Sequence, residues 1–152
     1  MRLWRICRRL HAADAFSGEG ARLYGGRWNS PGVRVVYTST SLALAAVETF
    51  VNLEPNLRPD DLISIEWVVP DEIKTQSVAV DSLPRTWNKA KDESLRSVGD
   101  TWVRAGKTVA LYVPSAAIRG EWNALINPAH PEFSKIEILE PRPFEFDLRM
   151  FR

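Results

Sequence analysis

Four residues in separate stretches of this 152-residue sequence, Arg27, Tyr37, Glu48 and Ser115, stand in settings that a fold alone does not demand. Arg27 belongs to the run Ser17 to Asn29, which holds four glycines, two arginines, Tyr24 and Trp28 and suits a backbone bent around something small, flat and anionic. Glu48 interrupts an apolar helical stretch, with Leu44 four positions before it and Val51 three after it on the same face. A buried carboxylate is costly unless paired, so Glu48 is expected to meet a cation or line a cavity, a structural ion pair being the competing reading. Ser115 follows an apolar strand and Pro114, a place from which a side chain either reaches a cleft or caps the next turn. An arginine fork binds phosphate, an aromatic ring stacks on a flat base, and a carboxylate stabilises positive charge on a sugar. Together they suit a nucleotide with a leaving base, such as NAD. Cleavage of its nicotinamide–ribose bond passes through an oxocarbenium-like state, and nicotinamide leaves without protonation, so one placed carboxylate suffices.

Other chemistries find little support. The segment Gly18 to Leu23 lacks the third glycine of a dinucleotide fingerprint, and no P-loop, zinc-protease or Gly-x-Ser-x-Gly motif is present. Neither His11 nor His130 stands beside a convincing nucleophile. The single Cys7 forms no intrachain disulfide and no zinc-spaced cluster, which points to a reducing compartment, the cytoplasm, and to no metal. Twenty basic against nineteen acidic residues leave a charge of +1, with little general pull on nucleic acid. No apolar run is long enough for a signal peptide or membrane segment.

The elements that must position these residues read as one domain over 1–152, of α+β class with mixed sheets and a buried helix. Strands are expected at Leu3–Cys7, Val33–Tyr37, Leu62–Val69 and Val109–Val113, with closing strands at Ile136–Leu139 and Pro143–Asp147. A hairpin across Ser30-Pro31-Gly32 would set Arg27 and Tyr37 on neighbouring strands. Ser41–Leu53, apolar nearly all round, reads as the buried helix. Trp87–Ala105 reads as helical but divided, with Asp100 as an N-cap and Gly106 as a stop. Glu54–Asp61 is a loop, lid or connector, and Asn123–Pro131 a rigid, proline-punctuated loop.

The strings Gly20–Asn29, Val36-Tyr37-Thr38, Glu48 in its alanine-rich helix, Val113-Pro114-Ser115, Asn123, Asn127–Pro131 and Phe146–Arg149 resemble the RES domain over nearly the whole chain. The resemblance implies a fold like that of ADP-ribosyltransferase toxins and a toxin that destroys NAD, with inorganic phosphate as co-substrate and nicotinamide and ADP-ribose 1″-phosphate as products. It implies no further cofactor. Arg27 would bind the NAD phosphates, Tyr37 would pack on nicotinamide or its ribose, Glu48 would polarise that ribose, and Ser115 would support the nucleotide or acceptor site. Gly26, Trp28, Asn29, Asn123 and Asn127 join Ser115 as implied substrate-binding residues. The implied partner is an Xre-type helix-turn-helix antitoxin, in a hetero-oligomer or beside a homodimer, with no membrane or direct nucleic-acid contact. Many relatives place a histidine where this chain has Asn52, which cannot carry a proton near neutral pH. Hydrolysis and protein ADP-ribosylation are the close alternatives. A nucleic-acid-binding module, prompted by six tryptophans and an arginine-rich N-terminus, or a non-catalytic partner-binding domain, are the distant ones.

Overall fold

A computed structural model describes residues 1–89 and 92–152. Its elements in chain order are β1 (Arg2–Arg8), α1 (Glu19–Tyr24), β2 (Val36–Ser39), α2 (Leu42–Val51), β3 (Leu62–Val68), β4 (Thr75–Ser77), α3 (Glu93–Ala105), β5 (Ala110–Pro114), β6 (Trp122–Ile126), β7 (Glu137–Ile138) and β8 (Arg142–Pro143). The strands form one mixed sheet in the order β4-β5-β6-β2-β1-β3-β7, with β8 also on β3. Only β4 and β5 run parallel among the pairs of described residues. The expected α+β class, without regular strand–helix alternation, is what is observed.

Alternation along the strands gives the sheet two cores. Leu3, Val36, Ile65, Ala124 and Ile126 enter one, which Ala15 and half-buried Phe16 and Phe133 cover. Leu111, Val113 and Leu125 enter the other, against Trp28 and against Leu95 and Trp102 of α3. Helix α3 starts at Asp92, whose side chain accepts from the Leu95 N–H, and stops at Gly106 in the left-handed region. Asp100 is therefore inside the helix, not its cap. Of the expected helical range Trp87–Ala105, residues 90 and 91 lie outside the described residues. Ser41 caps α2 through the Leu44 N–H. That helix buries one face, at Leu44 and Ala45, while Leu42 and Val51 reach the surface.

Two further expectations fail. No strand forms between α1 and the Ser30-Pro31-Gly32 turn, so Arg27 and Tyr37 are not on paired strands; the neighbours of β2 are β6 and β1. The segment beginning at Asn123 is not all loop, because Asn123–Ile126 belongs to the central strand β6. No helix of the described residues is long and apolar enough to cross a membrane.

Candidate active site

The cleft opens where the sheet comes apart. β1 pairs with β3 along all of its length, yet it meets β2 at one residue pair, Trp4 with Ser39. Continuing that ladder would set Ile6 opposite Tyr37, but the strands diverge, and the Arg5 guanidinium spans the gap by donating from Nη1 to the Tyr37 carbonyl at 3.0 Å. A cavity of about 390 Å³ occupies the split. Its walls include Arg5, Arg27, Tyr37, Glu48, Asn52 and Asn123. Burial pushes the pKa of Arg5 down, which for a guanidinium still leaves the charge in place.

Glu48 projects from the second turn of α2 and is held by residues of β6 and of the turn after β5. Its Oε1 accepts from Ser115 Oγ at 2.6 Å and from Asn123 Nδ2 at 2.7 Å. Asn123 in turn accepts from Ser39 Oγ at 2.7 Å, which fixes its amide so that the NH2 faces the carboxylate. Ser115 Oγ also accepts from the Ala117 and Ile118 N–H groups, closing the turn after β5. Both readings of Ser115 therefore hold, since it caps a turn and serves the site. Hydrogen bonds to a charged group are worth roughly 1.5–3 kcal/mol each, enough to hold one rotamer. Among the described residues the competing ion pair of Glu48 does not form: its Oε1 meets two neutral groups.

The glycine-rich segment builds the opposite wall. Gly25, at φ 70°, ends α1 in a conformation that glycine adopts without strain, and it turns the chain back toward Asn29. Asn29 is fully buried and ties the loop together, donating from Nδ2 to the carbonyls of Ala21, Ser30 and Val33. Its Oδ1 accepts from the Tyr37 hydroxyl at 2.6 Å, and that hydroxyl accepts from the Trp28 N–H at 3.2 Å. Burial pushes the Tyr37 phenol well above its ordinary value, against a weaker opposite pull from the Trp28 N–H, so Tyr37 keeps its proton and donates it to Asn29. Asp100 anchors the loop from α3, accepting from Ser30 N at 2.9 Å and Ser30 Oγ at 2.6 Å. Arg27 lines the cleft and donates from Nη1 to the Trp87 carbonyl at 2.9 Å.

A Cβ on Gly26 would stand 2.5 Å from the Tyr37 hydroxyl and 3.1 Å from Asn29 Oδ1. Gly26→Ala is therefore expected to expel the tyrosine ring from this bond and to cost about 1–3 kcal/mol of stability, read by chemical denaturation. A variant as stable as the parent would show that the ring can move aside freely.

The structure thus gathers Gly26, Arg27, Trp28, Tyr37, Glu48 and Asn123 at one cleft. Asn29 and Ser115 stand directly behind it, reaching it through Tyr37 and Glu48. Asn127 is not brought to it: it follows the other end of β6, where its Oδ1 accepts from the Ala129 N–H and holds its own loop. Arg5 is the wall residue that sequence reasoning passed over. The signal was present, because alternation puts Arg5 on the same strand face as Leu3, a cation within an apolar stripe. Among the described residues no group of three or more His, Cys, Asp or Glu is placed to hold a metal ion.

A family model described as the RES domain matches residues 2–147, a span that includes every residue of this cleft. The chain belongs to the RES-domain family. A relative from Sphingobium sp. (strain YBL2), named "Prs ADP-ribosylating toxin", is 38% identical across 98% of this chain and 96% of its own length. "Toxin Res" of Photorhabdus laumondii is 31% identical, with 100% and 98% of the two chains covered. Among solved structures, a chain of the M. tuberculosis MbcT–MbcA toxin–antitoxin complex superposes with a TM-score of 0.72, over 95% of this chain and 84% of that one. At 16% identity, that likeness establishes a common fold.

Proposed function

We propose that this RES-domain protein is a toxin that depletes NAD by breaking the nicotinamide–ribose bond, with inorganic phosphate as acceptor. The observation that carries the reading is the convergence of Arg5, Arg27, Tyr37 and Glu48 on one cleft, with Glu48 held by Ser115 and Asn123. The Arg27 guanidinium suits the pyrophosphate of a dinucleotide, and the carboxylate suits the positive charge that grows on the ribose. Ser115 and Asn123 act through Glu48, fixing its rotamer before substrate arrives, so no reorganisation is needed as charge develops. Names of relatives as toxins, and a structural neighbour solved with its antitoxin, support a toxin neutralised by a partner protein. The partner proposed is a helix-turn-helix antitoxin of Xre type, acting in the cytoplasm.

A second reading is ADP-ribosylation of a protein, which the name of the 38%-identical relative favours. The same oxocarbenium-like state is captured by whichever nucleophile is positioned beside it.

Incubating the purified, antitoxin-free protein with NAD, with and without phosphate, decides among these. Phosphate-dependent ADP-ribose 1″-phosphate supports phosphorolysis, free ADP-ribose supports hydrolysis, and a mass increment on a protein in a bacterial lysate supports transfer. Folded protein that releases no nicotinamide in any of these conditions rules out NAD cleavage. Arg27→Ala is expected to weaken NAD binding about tenfold or more and to lower kcat/KM at least equally, since a charge-assisted contact worth over 1.4 kcal/mol is removed. Equal NAD affinity in variant and parent, measured by calorimetry, would take Arg27 out of the phosphate site.

A further inference from the structure

A second cavity, of about 380 Å³, adjoins the first at Glu48. Arg5, Tyr37, Glu48, Asn52 and Asn123 line both and mark where the two meet. Beyond them the second has its own lining, apolar at Ile6 of β1, Leu53 after α2 and Leu57 of the loop 54–61, and polar at Arg8 and Thr49. Glu48 therefore borders two cavities.

We infer that the second cavity is the entry and binding site of the acceptor, an inorganic phosphate, which reaches the ribose by a way separate from the one NAD fills. This rests on the NAD-cleavage reading and adds to it the acceptor's location. A dinucleotide seated in the first cavity closes that mouth, so a nucleophile present at the moment of bond cleavage needs a separate way in. The second cavity supplies one, and it supplies a cation at the inner end. The Arg5 guanidinium has one recorded hydrogen bond, from Nη1 to the Tyr37 carbonyl, and its Nε is buried without a partner. No carboxylate of the described residues stands within ion-pair distance of it. That Nε is shut off from both cavities, so the donors an oxyanion can meet are those of the guanidinium's Nη groups, which offer charge-assisted bonds where Arg5 lines the cavity. Asn52, whose Nδ2 is committed to the Glu48 carbonyl at 2.7 Å, adds a neutral amide and no competing charge.

The step balances without a further reactant. The bond between ribose C1″ and the nicotinamide nitrogen breaks, its electron pair neutralising the pyridinium. An oxygen lone pair of hydrogen phosphate forms the new C1″–O bond. The phosphate carries its own proton into ADP-ribose 1″-phosphate, so no general base is required.

The test narrows the second cavity at two independent walls, with Ile6→Trp and Leu53→Trp, each checked for folding by its thermal midpoint. Either variant that folds is expected to raise the KM for phosphate about tenfold while NAD affinity, and nicotinamide release without phosphate, stay within about twofold of the parent. The inference is overturned if the folded variants leave the phosphate KM unmoved, whether or not NAD affinity changes. It is equally overturned if the parent releases nicotinamide but never forms ADP-ribose 1″-phosphate at any phosphate concentration. A parent that neither binds nor cleaves NAD removes the underlying reading, and this inference with it, and is told apart by the absence of nicotinamide.

Discussion

Glu48→Gln is expected to lower NAD cleavage by about a thousandfold, roughly 4 kcal/mol of transition-state stabilisation, while the thermal midpoint moves by no more than about 2 °C. The geometry is what separates the two effects. Oε1 of Glu48 is the atom that accepts from Ser115 and Asn123, and the carbonyl oxygen of glutamine can take its place in both bonds. What glutamine lacks is the negative charge that faces the ribose as it becomes cationic. Nicotinamide release measured by chromatography, beside a melting curve, checks both halves. A variant that keeps more than a tenth of the parent's rate would dismiss Glu48 as the stabilising group. A large drop in melting temperature would instead show that its charge holds the sheet edges together.

The second large effect lies far from any chemistry. Gly99 of α3 packs so closely on the glycine-rich segment that a Cβ there would stand 1.9 Å from the Trp28 carbonyl oxygen and 3.0 Å from the Trp28 carbonyl carbon. Both are backbone atoms, so no rotamer change relieves the contact, and helix and loop must separate. Separation strains the adjacent bonds from Ser30 to Asp100 and the packing of Trp28 on Trp87, whose rings lie 6.3 Å apart. Gly99→Ala is expected to cost about 3 kcal/mol or more, on the order of 10 °C in melting temperature, although alanine is the better helix former. NAD cleavage should fall in the fraction that remains folded, because the displaced loop carries Gly26 and Arg27. Denaturant unfolding measures the first effect, and a change below about 0.5 kcal/mol would mean that the helix shifts without resistance.

Both predictions depend on contacts between stretches distant in the chain, and this is where sequence reasoning and structure part. The first strand, the Leu62 strand, the alanine-rich helix and the Gly106 stop were all legible, because each is specified by periodicity or by a stop signal within a few residues, although the cap of that helix is Ser41 itself and not the Thr38–Thr40 segment before it. The central strand β6 was not. Its Ala124-Leu125-Ile126 core is short, and Asn123 and Asn127-Pro128 at its ends look like loop punctuation. In the fold Asn123 is a strand residue whose amide is spent on Glu48 and Ser39. Asp100 misled for a related reason. An aspartate that caps a helix and one that accepts a distant loop's N–H use the same oxygens, and only the position of Ser30 tells them apart.

The sequence by itself determined that Glu48, alone among apolar helical neighbours, required polar company, that the glycine-rich run required a tightly bent backbone, and that the whole pattern was that of a RES domain. These follow from local rules: the cost of a buried charge, the freedom of glycine, the order of motifs along the chain. Only the tertiary structure decided what company Glu48 keeps, that Arg5 enters the cleft, that Asn127 does not, and that a second cavity adjoins the cleft. These depend on where β1 leaves β2. That divergence is settled by the packing of both faces of the whole sheet, to which residues from 3 to 136 contribute at once, and no local stretch of sequence encodes it.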